Sequence, residues 1–195
     1  KPYPDTPDRG CLTVGVELLP LSSPEFEGGP PRIDSIELAR VVDRGVRESN
    51  AIDMKKLCIE KGEKVWMVFI DVCTINDDGN ILDASGLAVL AALRDTRFPA
   101  YDGVEIDYKN HTDEKLPLDK SPVPVTVYKL GKSFLVDPNR EEQEAYDAKL
   151  TVATIDEKTL CALQKGGNSP LSVEEIDKMV GLAVKKAEEL KKQIR

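Results

Sequence analysis

Histidine is almost missing from this sequence. His111 is the only one in 195 residues, so a His-rich metal site cannot form, and nothing around it resembles a Ser-His-Asp or Cys-His arrangement. It is expected to be exposed and unpartnered. The four cysteines, Cys11, Cys58, Cys73 and Cys161, lie far apart with no CxxC spacing. Neither a zinc site nor a thioredoxin-like motif is supported, and reduced, half-buried thiols are expected. A GxxxxGK[ST] phosphate loop does not occur, nor does GxGxxG after a strand, which argues against nucleotide hydrolysis. No apolar run reaches membrane-spanning length, and the opening KPYPDTPDRG is polar and turn-like, unlike a signal peptide. A cytoplasmic address without membrane contact is expected. Basic residues are in deficit, Lys+Arg 27 against Asp+Glu 35, for a formal net charge of -8. Bulk attraction to nucleic acid or anionic membrane is therefore disfavoured, and any polyanion site must be local, made by a few converging cations.

Enough apolar residues are present for a real core: 41% of the chain, in a length that suits one good-sized domain or two small ones. The chain starts on Lys1 and has no element of its own before the first strand, from which a missing upstream piece is expected.

The strongest local pattern is residues 24–49, PEFEGGPPRIDSIELARVVDRGVRES, a Pro/Gly-rich loop running into a helix. Pro30 and Pro31 bar its extension backwards, Asp34 or Ser35 can cap it, and Glu37 suits the positive end of its dipole. Ile36, Ala39, Val42 and Val46 form the expected buried stripe, widened by Leu38 and Val41. Arg40, Arg44 and Arg47 fall at i, i+4 and i+7 on the flank and point the same way. A bland alternative stands beside this: Glu37, Asp43 and Glu48 lie at pairing distance from Arg40, Arg47 and Arg44, and such pairs contribute only about 0.2–0.5 kcal/mol each. From spacing alone a solvated, self-paired surface explains all three arginines.

Along the rest of the chain, CLTVGVELL (11–19) reads as a strand, with Gly15 marking a bulge or close approach. The loop PLSSPEFEGGPP is too long for a tight turn, and Phe26 is too apolar for a simple linker. Leu57–Glu60 is a short strand, and KVWMVFIDVCTI (64–75) reads as a strand buried on both faces, with Trp66 in the core. INDDGN is a turn, and Asp83 can cap a helix ending near Asp95, whose alanines Ala84, Ala88, Ala91 and Ala92 suit close packing on a sheet. Residues 96–122 are polar, with one strand at Val104–Tyr108. PVTVYKLG and SFLVD form a hairpin across Gly131–Lys132, DPNREEQEAY a short acidic helix, and KLTVATI and LCALQKGG two more strands. The carboxylates of 137–147 read as a solvated surface rather than a metal site. Ser172 and Glu175 make a capping box for a closing amphipathic helix, and the lysines from Lys185 to Lys192 suit its negative pole as a solvated face.

The order strand, Pro/Gly loop, IELARVVDRGVRES, strand pair, DVCTINDDGNILDASGLAVLAAL, VDPNREEQEAYDAK and closing helix resembles RNase PH-like proteins across the whole chain. It is most similar to the non-catalytic RNase PH-like subunit of the archaeal exosome ring. KPYPDTPDRG, VELLPL, IELARVVDR and KLCIEKGEKVWMVFIDV carry most of that likeness. The resemblance implies an α+β fold of repeated β-α units, ribosomal protein S5 domain 2-like, with mixed sheets packed on helices. It implies two RNase PH-like domains, 1–122, N-terminally incomplete, and 123–195.

It also implies what is lost. Catalytic relatives carry a GGTR[ST]-like phosphate loop at a helix start; the matching residues here are Gly79, Asn80, Ile81, Leu82 and Asp83, with leucine in place of arginine and a negative charge where the anion would sit. Two catalytic aspartates of those relatives fall on Gln143 and Lys149 when counted from Asp137, although a slip of one or two residues brings Asp147 into that place. The resemblance implies a subunit without catalytic residues, cofactor or metal, paired with a catalytic RNase PH-like sister in a ring of three such pairs, with cap subunits carrying S1 or KH domains. Arg40 and Arg44 match positions that hold single-stranded RNA phosphates; Arg47 is structural. The alternatives are an active phosphorolytic exoribonuclease using Asp137 or Asp147, and a purely structural ring component.

Overall fold

The structure is a computed structural model and describes residues 1–194. Its first strand, β1 (Cys11–Glu17), leads through the proline-rich loop to α1 (Ile33–Glu48). After the short antiparallel pair β2 (Cys58–Glu60) and β3 (Lys64–Val65), β4 (Met67–Cys73) returns parallel to β1, from Cys11 opposite Met67 to Glu17 opposite Cys73. Parallel neighbours need a crossover, and α1 supplies it. Next come α2 (Ile81–Asp95) and the hairpin of β5 (Arg97–Tyr101) with β6 (Ile106–Lys115). The remaining strands, β7 (Val123–Leu130), β8 (Ser133–Val136), β9 (Ala148–Thr154) and β10 (Leu160–Gly166), make an antiparallel sheet in the order β10-β9-β7-β8. The short helix α3 (Arg140–Glu144) joins β8 to β9, and α4 (Val173–Lys191) closes the chain. This is the expected α+β arrangement of strand, helix and mixed pairing.

The four-stranded sheet is covered on both sides. α4 packs Met179, Ala183 and Ala187 on Val123, Val125, Val127, Leu150 and Val152, together with Leu90 of α2. Burial on both faces shows in the unbroken buried run from Val123 to Tyr128 in β7, apolar but for Thr126 and the Tyr128 hydroxyl. A second cluster joins Leu12 and Ile70 of the parallel pair to Val42, Val46, Val89 and Leu93 of α1 and α2. The predicted capping box of α4 is present: Ser172 Oγ accepts from the Glu175 N–H at 3.2 Å and Glu175 Oε2 from the Ser172 N–H at 2.9 Å. Asn139 and Glu142 do the same for α3.

Several local expectations fail for identifiable reasons. α1 is capped by Arg32 without any side-chain cap bond, because Ser35 faces inward and donates its hydroxyl to the Arg32 carbonyl at 2.9 Å. The buried row is Ser35, Leu38, Val41, Val42, Gly45 and Val46, while Ile36 is 47% exposed. At about 100° per residue, Ile36 lies nearly opposite Leu38, so burying one exposes the other. β4 is covered on one face only: Ile70 is buried, with Val68 and Val72 beside it, while Met67 and Phe69 stand open. The alanines of α2 face outward as well. Leu82, Val89, Leu90 and Leu93 remove more apolar area from water and take the inner side, where Gly86 meets Pro124. Gly15 makes no bulge; it pairs regularly with Asp71, whose carboxylate a Cβ would approach at 3.1 Å. β5 escaped the sequence reading. Its aromatic residues hold it by packing Phe98 and Tyr101 on Trp66, with centroids 5.4 and 6.0 Å apart.

Two helical glycines give opposite expectations. Alanine at Gly86 overlaps the Pro124 ring, whereas nothing lies within 4 Å of a Cβ at Gly181. Chemical denaturation should show Gly86→Ala destabilised by about 1–3 kcal/mol and Gly181→Ala stabilised by roughly 0.5–1 kcal/mol; the same sign for both would contradict this packing.

Candidate nucleic-acid interface

The packing of α1 sorts its three arginines. Arg47 lies over β1 and is fully engaged: Nε and Nη2 donate to the two Asp43 carboxylate oxygens at 3.0 and 2.7 Å, and Nη2 also donates to the Leu12 carbonyl at 3.0 Å. The bond to Asp43 raises its pKa, so it stays charged and structural. Arg40 is exposed and, among the described residues, has no ion pair or hydrogen bond. Arg44, also exposed, donates from Nη1 to Gln164 Oε1 at 2.8 Å. The Glu37–Arg40 and Glu48–Arg44 pairs of the bland alternative do not form among the described residues; only Asp43–Arg47 does. Glu37, Arg40, Arg44 and Gln164 border a shallow depression of about 310 Å³ floored by Ile33, Ile36 and Val41. Gln164 was invisible to sequence reading, since its partner is 120 positions away in the chain.

The start of α2 is occupied by the protein itself. Gly79 and Asn80 take left-handed backbone angles, φ 91° and 52°, and a Cβ on Gly79 would come within 2.8 Å of the Asn139 backbone. The Gly79 N–H donates to Asp77 Oδ1 at 2.9 Å and the Asn80 N–H to Gln143 Oε1 at 2.7 Å. A helix N-terminus draws anions through such free donors, and here a neutral carboxamide holds the nearest one. Leu82 is buried with Val16, Leu38 and Val41. Lys149 and Gln143 line a cavity of about 310 Å³ together with Phe26, Asp34, Asp77 and Arg140, and Arg140 is paired with Glu25. Asp147 is spent on a turn, where Oδ2 accepts from the Gly131 N–H at 2.6 Å. Asp137 accepts from Asn80 Nδ2 at 3.2 Å. Among the described residues no group of three or more His, Cys, Asp or Glu side chains is placed to hold a metal.

Asp83 does not cap α2. It turns inward, 4% exposed, and accepts from the Thr126 N–H at 2.8 Å, from Thr126 Oγ1 at 2.7 Å and from Asn80 Nδ2 at 3.1 Å. Burial pushes its pKa up to about 6, against the lowering effect of those bonds. Burial also pushes the phenol of Tyr128 up; its hydroxyl lies 3.5 Å from Gln143 Oε1. The arrangement thus offers exposed cations on α1 and, at the start of α2, three carboxylates, Asp77, Asp83 and Asp137, that take up nearby donors beside the Lys149 cavity.

Both halves of the chain match family models. Domain 1 of the 3′ exoribonuclease family, RNase PH, matches residues 1–99, and domain 2 matches residues 120–186. The chain belongs to this family, as its IELARVVDR and KLCIEKGEKVWMVFIDV segments indicated. Over 194 residues it is 47% identical to the exosome complex component Rrp42 of Methanocella arvoryzae, covering 100% of this chain and 73% of that one. The Rrp42 component of Archaeoglobus fulgidus is 48% identical over 197 residues, with the same coverage. A chain in the structure of the Archaeoglobus fulgidus exosome with RNA bound to the active site superposes with a TM-score of 0.92 at 47% identity, spanning 100% of this chain and 75% of that one. An archaeal exosome core chain gives 0.85 at 44% identity, over 99% and 72%. No described helix is long and apolar enough to cross a membrane.

The buried carboxyl of Asp83 makes stability depend on pH. Its folded pKa of about 6 lies above the ordinary 3.8, so the folded protein binds this proton more tightly than the unfolded chain does. The stabilising contribution is complete below the unfolded value and is lost as pH rises through about 6, an effect of about 3 kcal/mol. Denaturation of the native protein and Asp83→Asn at pH 4 to 7 should show the native protein losing stability relative to the variant as pH rises; parallel curves would refute the assignment.

Proposed function

We propose that this chain is a non-catalytic subunit of the exosome, a 3′-to-5′ phosphorolytic exoribonuclease complex that degrades and processes RNA. It binds single-stranded RNA through Arg40 and Arg44 and completes the active site of a catalytic RNase PH-like partner. The observation that carries this reading is the state of α1: two exposed guanidiniums, one turn apart on a rigid helix, with no carboxylate on either. RNA held without sequence preference needs cations on its backbone and tolerates any base, which suits processive degradation. The similarity to Rrp42 components over the whole chain supports the assignment to the complex.

The partner supplies the chemistry, in which inorganic phosphate attacks the terminal phosphodiester and a nucleoside diphosphate leaves. Gln143 on the Asn80 N–H, Leu82 in the core and Asp147 held by Gly131 support the absence of an anion loop and catalytic carboxylate in this chain. The proposed assembly is a six-membered ring of three heterodimers with S1 or KH cap subunits, in the cytoplasm. We also propose a division into domains at 122/123, supported by family matches that end at 99 and resume at 120.

In the assembled ring, Arg40→Ala with Arg44→Ala should weaken oligoadenylate binding and flatten its salt dependence by about 0.7 in log–log slope per lost phosphate contact on single strands. Unchanged affinity and slope would remove the RNA role from α1.

A further inference from the structure

We propose that Gln164 is a positioning residue for RNA binding, presetting the Arg44 guanidinium while leaving its charge uncompensated. The inference rests on the reading of α1 given above. Both ends of the Gln164 carboxamide are fixed: Oε1 accepts from Arg44 Nη1 at 2.8 Å, and Nε2 donates to the Lys165 carbonyl at 3.3 Å. The reversed amide would turn its NH₂ toward the guanidinium, donor against donor, so this orientation is the one the site accepts.

The support beneath the bond is firm. β10 pairs regularly with β9 from Ala162 to Gly166, past a register shift at Cys161, and α1 packs on β10, with Cys161 Sγ 3.9 Å from the Gly45 carbonyl. Arg44 is therefore tied to a sheet rather than to a neighbour on its own helix. An unrestrained arginine must give up much rotamer freedom to hold a phosphate; here part of that ordering is already done before RNA arrives.

The chemical choice matters as much as the geometry. A carboxylate at position 164 would also orient the guanidinium, but it would cancel the charge that a phosphate needs. Asp43 does this to Arg47, with a bidentate pair. Glutamine orients without neutralising. Arg40, by contrast, has no protein partner among the described residues and is free to follow the RNA backbone. The two cations are thus unlike: one preset, one adaptable.

The test measures binding of a single-stranded oligoadenylate to the assembled ring across a salt series, with Gln164→Leu and Gln164→Glu, each in the native and the Arg44→Ala background. Gln164→Leu should weaken binding about three- to tenfold, part of the rotamer-ordering cost of one arginine, with the salt slope unchanged because Arg44 keeps its charge. Gln164→Glu should bind more weakly still and lower the slope by about 0.7. Both effects should vanish once Arg44 is alanine. If Arg44→Ala weakens binding while neither Gln164 variant does, or if the Gln164 effects persist without Arg44, the positioning role is overturned and the reading of α1 stands. If Arg44→Ala itself changes nothing, that reading falls and the positioning role falls with it.

Discussion

The rotation of α1 about its own axis governs the functional surface. Leu38, Val42, Gly45 and Val46 face inward, and with that row fixed, Arg40 and Arg44 have nowhere to go but outward. The apolar contacts are non-directional, but helical spacing converts them into a directional result: burying one face aims the opposite one. Arg47 lies only about 20° around the helix from Arg40; its place at the end of α1, beside β1, is what brings it to the Leu12 carbonyl, with Asp43 one turn back. Three identical side chains therefore meet three environments, and only two keep their charge available.

A second network takes up polar groups at the start of α2. Asp83 ties α2 to Thr126 of β7, and Thr126 Oγ1 lies 2.9 Å from Thr151 Oγ1 of β9, so a polar chain crosses the sheet inside an apolar core. Asn80 joins Asp83 to Asp137, and its N–H is held by Gln143 from α3. The Gly79 and Asn80 N–H groups there are held by the protein's own carboxylate and carboxamide. Apart from Asn80 Oδ1, which has no partner among the described residues, the network satisfies its buried polar groups, which favours a rigid scaffold for the helix that presents the two cations.

Much of this was legible in the sequence. Most of the individual strands, the Ser172–Glu175 capping box and the buried periodicity of α4 follow from local pattern, as does the existence of α1. The family likeness lay in continuous segments and needed no contacts. What escaped was decided by competition between faces or by distant partners. The α2 alanines lost the inner side to larger residues, and Ile36 lost it because Leu38, Val41, Val42 and Val46 together set the buried row on the other side of α1. Asp83 has the composition of a cap, yet Thr126, 43 positions away, offered it two bonds. β5 is held by Trp66 rather than by its own pattern. The family likeness singled out Arg40 and Arg44, where spacing alone left all three arginines as a self-paired surface; their freedom from carboxylates was legible in neither, and Gln164 gave no local signal at all.

The claim that most needs testing is that this chain lacks catalysis of its own and completes a partner's site. The direct measurement is phosphorolysis of poly(A) RNA by this chain alone, by the catalytic RNase PH-like partner alone and by the two together, each with and without inorganic phosphate. Phosphate-dependent release of nucleoside diphosphates from the mixture only is the predicted result. Release by this chain alone would contradict the account and return Asp137 or Asp147 to a catalytic role.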